Sequence, residues 1–318
     1  MESLMIIILA VIPVALLLFY IYKKDFKKES KGLLIKLFLA GIASCIVTLI
    51  ITGVEEDLFP FFGSDTTYMG IGELFIYFML GVAIIEEFSK LLMTYLVGYN
   101  NKEYDEVFDG IVYAVFVSLG FACFENVLYL LAANSGGLDI NPYTLGVMRG
   151  LTAVPSHAAD AVLMGTYLSI AKTYRLKGNK SKEKKNLILA LVIPMLAHGF
   201  YDFCLSTGSG LFLLAILAVE IGIFVYCVKK INKISKENNH ILNNPEATDE
   251  NINQNTNYNQ NINYNQNVNN NQNMNYNQNA NNNQNAVLNT APASAPKYCR
   301  NCGSPVNGTF CSNCGSRQ

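Results

Sequence analysis

Four short motifs place carboxylates, imidazoles and an amide at helical spacing inside apolar sequence. They are Glu86-Glu87-Phe88-Ser89-Lys90, Phe121-Ala122-Cys123-Phe124-Glu125-Asn126, Pro155-Ser156-His157-Ala158 and His198-Gly199-Phe200-Tyr201-Asp202. Glu86 and Lys90, Phe121 and Glu125, and His198 and Asp202 are each four residues apart, and His157 and Asp160 are three apart, so each pair shares a helix face. An ionisable group inside a membrane helix is expensive, and by default it marks a functional site. One ion pair such as Glu86 with Lys90 could be purely structural. Structural pairing alone does not call for two of the chain's three histidines to stand among carboxylates on successive apolar segments.

A carboxylate withdrawn from bulk water can act as general base on a water molecule, and an imidazole can hold a developing oxyanion, protonate a leaving amine or ligate a metal. Peptide-bond hydrolysis within the membrane fits this inventory. The candidate catalytic residues are Glu86, Glu87, His198, Glu125 and His157, with Lys90, Asn126 and Asp202 in support. Glu87 or Glu86 would polarise water, Lys90 would tune the glutamate pair, and His198, oriented by Asp202, would stabilise the oxyanion or bind metal. Other membrane-protease chemistries lack their motifs: there is no His-Glu-x-x-His and no Gly-x-Gly-Asp, and Thr207-Gly208-Ser209-Gly210 has Thr where the serine motif needs Gly. Two readings of other classes remain open. Carboxylate and histidine chains also build proton relays, which would make a proton-coupled transporter or channel; a non-catalytic membrane anchor whose tail recruits a partner is the other.

The elements that must position these residues are apolar runs at about 5–22, 32–54, 71–97, 107–131, 143–171, 187–205 and 211–228. Each approaches the roughly 20 residues a helix needs to cross a bilayer. The expected fold is therefore an all-α polytopic membrane protein of about seven transmembrane helices. The first run has Glu2 before it and its lysines after it, which predicts an uncleaved anchor with the N-terminus outside. Lysines crowd the joints after runs one, three, five and seven: Lys23 to Lys31, Lys102, Lys172 to Lys185, and Lys229 to Lys236. The alternate joints contain neither Lys nor Arg. The positive-inside rule then places the C-terminal tail in the cytoplasm of a bacterial-type plasma membrane. At about 1.5 Å per residue, Glu86 and His157 fall near the midplane, and His198 and Glu125 fall in the outer half. Pro155 and Pro194 should kink their helices there and free carbonyls toward a hydrated pocket.

The whole-chain composition fits this sorting. The 318 residues are 51% hydrophobic and only 15% charged, with a net charge of −1, which argues against an ordinary soluble enzyme and against a nucleic-acid binder.

Together the four motifs resemble those of the PrsW family of intramembrane proteases, which is distantly related to the prenyl-protein and Abi-type membrane proteases. They match Glu-Glu-x-x-Lys, Phe-x-x-x-Glu-Asn, the Pro-Ser-His-Ala segment and His-x-x-x-Asp over residues 71–205. The resemblance implies site-1-type cleavage of a single-pass, membrane-anchored substrate, typically an anti-sigma factor, near the outer face. It also implies that Glu86, Glu87 and His198 are needed most, with Glu125 and His157 beside them. Whether a bound metal or a glutamate-activated water does the chemistry stays open.

Beyond the membrane domain, residues 1–230, the chain changes character twice. Residues 237–296 are an Asn/Gln-rich tract without the apolar residues of a core, which predicts a disordered linker. Residues 297–318 carry Cys299-x-x-Cys302-Gly and Cys311-x-x-Cys314-Gly, two knuckles that offer four thiolates to one Zn²⁺, so a small zinc ribbon is expected there. A cytoplasmic location favours zinc over disulfides. The tail's Lys297, Arg300 and Arg317 are too few for a phosphate track, so its expected partner is a cytoplasmic protein. Cys45, Cys123, Cys204 and Cys227 lie in separate apolar runs and read as small packing residues.

Overall fold

Long apolar runs closed by polar caps set the architecture. In the computed structural model, which describes residues 2–237 together with 297–298 and 305–306, helix α1 (Glu2–Lys24) is followed by α2 (Lys31–Leu58), whose start is capped by the Ser30 side chain accepting from the Leu33 amide. A third helical stretch is assembled from α3 (Ile71–Ile76), a π-helical segment (Tyr77–Ala83), α4 (Ile84–Thr94) and a second π-helical segment (Tyr95–Tyr99). Then come α5 (Val107–Asn134), α6 (Pro142–Leu151), α7 (Ala153–Leu176), α8 (Lys180–Ser206) and α9 (Gly210–Glu237). Strands β1 (Lys297–Tyr298) and β2 (Pro305–Val306) pair antiparallel. Cys299, Cys302, Cys311 and Cys314, and the Asn-rich tract from 238 to 296, lie outside the described residues.

Helix α5 is the axis of the bundle, with nearly every side chain from Phe108 to Ala122 buried. It packs chiefly on α2, α7 and α1. Two glycine pairs permit this. A Cβ on Gly41 of α2 would strike the Val117 carbonyl, and one on Gly120 would strike the Phe38 carbonyl. On the opposite side a Cβ on Gly110 would meet Ser169, and one on Gly165 would meet the Gly110 carbonyl. Small residues let backbones approach closely, which is how helices gain packing energy where lipid removes the hydrophobic drive.

Among the described residues, five helices are long and apolar enough to cross a membrane: α1, α2, α5, α8 and α9. The stretch 71–99 and α7 are not among them. They carry Glu86, Glu87 and Lys90, and Asp160, Lys172 and Arg175, and the first is divided by its π-helical turns. The run expected as one segment at 143–171 is in fact two helices, broken at Thr152 (φ −120, ψ −67). Pro155 therefore sits in the first turn of α7, where a missing N–H costs little, and the direction change comes at Thr152 instead. Pro194 stays inside a continuous α8. That helix starts seven residues before its apolar run because Asn179 caps it, accepting from the Lys182 amide at 3.1 Å.

Candidate active site

The α3–α4 stretch brings the first motif to the centre of the bundle. Across the π-helical segment the Ile84 amide donates to the Met79 carbonyl, five residues back. Each extra residue in a turn rotates the rest of the helix by roughly 100°. Glu86, Glu87 and Lys90 therefore leave the face set by Ile71–Ile76 and turn inward, where all three are buried.

Lys90, with no exposed surface, is the hub. Its ammonium donates to Glu87 Oε1 (2.8 Å) and Glu86 Oε2 (3.1 Å), lies 3.2 Å from His157 Nδ1, and sits 4.2 Å above the centre of the Phe121 ring. An ammonium has no acceptor capacity, so His157 Nδ1 must accept, which leaves Nε2–H to donate to Glu125 Oε2 at 3.0 Å. The contact with Lys90 thus fixes the tautomer. The Ser118 hydroxyl holds the His157 carbonyl at 2.9 Å, anchoring α7 to α5 at this depth.

His198 completes the cluster from α8. Its Nδ1 lies 2.8 Å from Glu87 Oε1, and its Nε2 lies 3.2 Å from Asp202 Oδ2 and 3.7 Å from Glu86 Oε2. Protonated on Nδ1 the ring donates to Glu87, protonated on Nε2 it donates to Asp202, and protonated on both it donates to each. The His157 and His198 rings stand perpendicular with centroids 5.3 Å apart. All five candidate catalytic residues and the supporting Lys90, Asn126 and Asp202 come together within one connected network.

Three participants were not assigned from sequence. Arg149 on α6 donates from Nη2 to Glu125 Oε2 and from Nε to Asn126 Oδ1, both at 2.7 Å, with its guanidinium 4.0 Å above the Tyr129 ring. Asp160 is buried beside Glu87 and the two imidazoles. Glu220 on α9 lies near the Ser156 hydroxyl. Each stands in an apolar run, and Glu220 is the sole Asp, Glu, Lys or Arg in its own, so intramembrane charge was the available signal.

Two cavities meet here. One, of about 470 Å³, is lined by polar groups that include Arg149, Ser156, His157, His198 and Asp202. The other, of about 370 Å³, is mainly apolar and runs between α2 and α5 past Thr48, Leu49 and Leu128. Glu86 and Glu125 border both, whereas Glu87 borders neither.

One potential ligand atom each from Glu87, His157, Asp160 and His198 lies within 4.8 Å of the others. Glu87 Oε2 and Asp160 Oδ2 are buried without a hydrogen-bond partner among the described residues, so two carboxylate oxygens remain available beside two imidazoles. Such a nitrogen and oxygen donor set suits a catalytic Zn²⁺. The residues fit a metal once the Lys90 ammonium leaves His157 Nδ1, because a ring nitrogen that accepts from an ammonium has no lone pair left for an ion.

A buried Glu/His cluster opening on a polar cavity, inside a bundle of membrane-length helices, defines a polytopic membrane protein equipped for hydrolysis. The family model "PrsW family intramembrane metalloprotease" matches residues 29–228. The chain belongs to that family and is an intramembrane peptidase, a multi-pass membrane protein. It is 32% identical over 234 residues to Protease PrsW of Clostridioides difficile (strain 630), covering 73% of this chain and 91% of that protein. It is 34% identical over 223 residues to Protease PrsW of Oceanobacillus iheyensis, covering 70% and 93%. To Protease PrsW of Bacillus subtilis (strain 168) it is 33% identical over 196 residues, covering 62% and 80%. No solved structure matches.

Proposed function

We propose that the protein is an endopeptidase that cuts a single-pass, membrane-anchored regulator, in a site-1-type cleavage of an anti-sigma factor or similar protein. The observation that carries this reading is the position of Glu86, at the junction of an apolar cavity lined by α2 and α5 and a polar cavity reaching the imidazoles. A substrate segment in the first meets water from the second at that carboxylate.

In this mechanism Glu86 takes the proton of the attacking water. Lys90 keeps Glu86 and Glu87 from repelling each other and holds both in place. His198, held by Glu87 and lining the polar cavity, can turn its Nε2–H from Asp202 to the developing oxyanion. Arg149 fixes Glu125, and Glu125 in turn fixes His157. Glu87 and Asp160 would hold a metal together with His157 and His198, each imidazole giving up one present contact to free a lone pair; the metal would supply Lewis acidity to the carbonyl and lower the pKa of water.

The domain plan proposed is a protease domain over 1–230 with its motifs in 71–205, a disordered linker over 237–296 and a Zn²⁺ ribbon over 297–318. The membrane domain crosses seven times: the stretch 71–99 and α7 join the five apolar helices, with the N-terminus outside and the tail in the cytoplasm. The basic joints support that orientation. The ribbon serves a cytoplasmic protein partner.

Co-reconstitution with candidate single-pass proteins, found as membrane proteins that accumulate uncut in Glu86→Gln cells, tests the activity. Cleavage by the wild type and none by Glu86→Gln is expected. Ion flux that depends on Glu86, with no cleavage of any accumulated protein, would overturn it. For the tail, zinc content should fall by one equivalent in the Cys299→Ser, Cys302→Ser variant.

A further inference from the structure

A second group of acids lies apart from the active site, where the α1–α2 connection meets the head of α5. Asp25 and Glu29 come from the connection, Glu106 caps α5, and Asp109 stands in its first turn. All four are buried. Asp25, Glu106 and Asp109 each bring one oxygen within 4.8 Å of the others, and Glu29 packs against Asp109. Residues 25–29 and 102–109 together hold six acids and three lysines.

Helix capping explains part of this arrangement. Asp109 Oδ2 accepts from the amides of Asp105 (2.8 Å) and Glu106 (2.6 Å). It does not explain the rest. Asp109 Oδ1 and both carboxylate oxygens of Asp25 are buried without a hydrogen-bond partner among the described residues, and Asp25 is only 2% exposed. The Lys27 and Glu29 amides lie near the Asp25 carboxylate but neither closes a hydrogen bond to it. Of the lysines on the α1–α2 connection, Lys27 pairs with Asp105, and Lys28 donates to the Asp25 backbone carbonyl at 2.9 Å while lying over the Tyr22 ring. One turn beyond Asp109, the buried Tyr113 hydroxyl also closes no hydrogen bond.

Unpartnered buried carboxylate oxygens converging from two chain segments are an arrangement that a cation stabilises. The donors are all oxygen, with neither imidazole nor thiolate, which selects a hard ion over zinc or copper. We propose that Asp25, Glu106 and Asp109, with Glu29 beside them, bind one hard divalent cation, Mg²⁺ or Ca²⁺, which fastens the α1–α2 connection to the start of α5. The active-site residues Glu125 and Asn126 are carried on that same helix.

The test is calorimetric titration of the chelator-stripped full chain in detergent with MgCl₂, CaCl₂ and ZnCl₂, alongside thermal unfolding. One Mg²⁺ or Ca²⁺ per chain is expected, with a rise in unfolding midpoint of about 5 °C or more at roughly a hundred times Kd. Asp25→Asn and Asp109→Asn should lose both signals, and the exposed Asp139→Asn should keep them. If Asp109→Asn does not fold, the Asp25→Asn, Glu29→Gln double variant replaces it and leaves the α5 cap intact. No response to Mg²⁺ or Ca²⁺, or a response that survives in Asp25→Asn, overturns the site. A response to Zn²⁺ alone does so too, since it belongs to the imidazoles or the cysteine tail.

Discussion

The molecule buries two clusters of carboxylates and treats them in opposite ways. In the active site Glu86, Glu87, Glu125 and Asp202 are interleaved with Lys90, Arg149 and two imidazoles, so nearly every charge faces its complement. At the head of α5, Asp25, Glu29 and Asp109 converge, and both carboxylate oxygens of Asp25 and one of Asp109 close no hydrogen bond among the described residues. The consequence is visible outside the membrane segments. Burial, followed by the Glu106 charge and only partly offset by Lys28, pushes the Asp25 carboxyl up to about 6; burial and Asp109 push Glu29 up to about 9. In the first cluster the side chains balance one another except at Glu87 Oε2 and Asp160 Oδ2, the oxygens left for a metal. In the second, neither oxygen of Asp25 closes a hydrogen bond among the described residues, and that carboxyl must take up either a proton or a cation.

Substitutions should break the two clusters differently. Glu86→Gln is expected to have the largest effect, a loss of cleavage of at least about a hundredfold, because the general base is removed while shape is kept. A loss under tenfold in the reconstituted assay would shift the base to Glu87. Lys90→Met comes next: withdrawing the cation shared by two buried glutamates should cost about 3–5 kcal/mol of stability, measured by chemical denaturation in detergent. Adding Glu87→Gln should recover part of that loss, and purely additive effects would mean that the pair is not coupled. Arg149→Lys keeps the charge but loses the fork that grips Glu125 and Asn126 together, so cleavage should fall about tenfold with the unfolding midpoint little changed.

The smallest effect, of opposite sign, belongs to Asp25→Asn. In chelator at pH 7.5 the variant should be as stable as the wild type or more stable by up to about 1 kcal/mol, because a buried charge is removed. The sign comes from the raised carboxyl: the folded state keeps its proton longer than the unfolded state, so the wild type loses stability as pH climbs from about 4 through 6. The gap should therefore close at pH 4 to 5. A destabilised Asp25→Asn at both pH values would show that the two clusters are built alike.

Much of the site was legible because membrane sequence makes charge conspicuous. Glu86, Glu87, Lys90, Glu125, His157, His198 and Asp202 stand out of apolar runs, and helical spacing assigns most of them to shared faces. Arg149 was visible as a charge but not as a partner. Its separation from Glu125 by 24 residues and a helix break means that only packing brings them together. The break at Thr152 was hidden because apolar sequence runs through it, and the more obvious signal, Pro155, points three residues too late. The π-helical turns at Tyr77–Ala83 have no composition that separates them from ordinary helix.

The sequence by itself determined that this chain is helical and apolar, which residues carry charge into that apolar interior, and, through its four ordered motifs, the family to which it belongs. These are matters of local pattern, since hydrophobicity, spacing and residue type are properties of short segments. Only the tertiary structure decided that Glu86 rather than Glu87 borders both cavities, that Lys90 is shared by two glutamates and His157, and that the acids of the α1–α2 connection meet those of α5. Those outcomes depend on helix phase and on which faces pack together, and packing is settled by contacts between residues far apart in the chain.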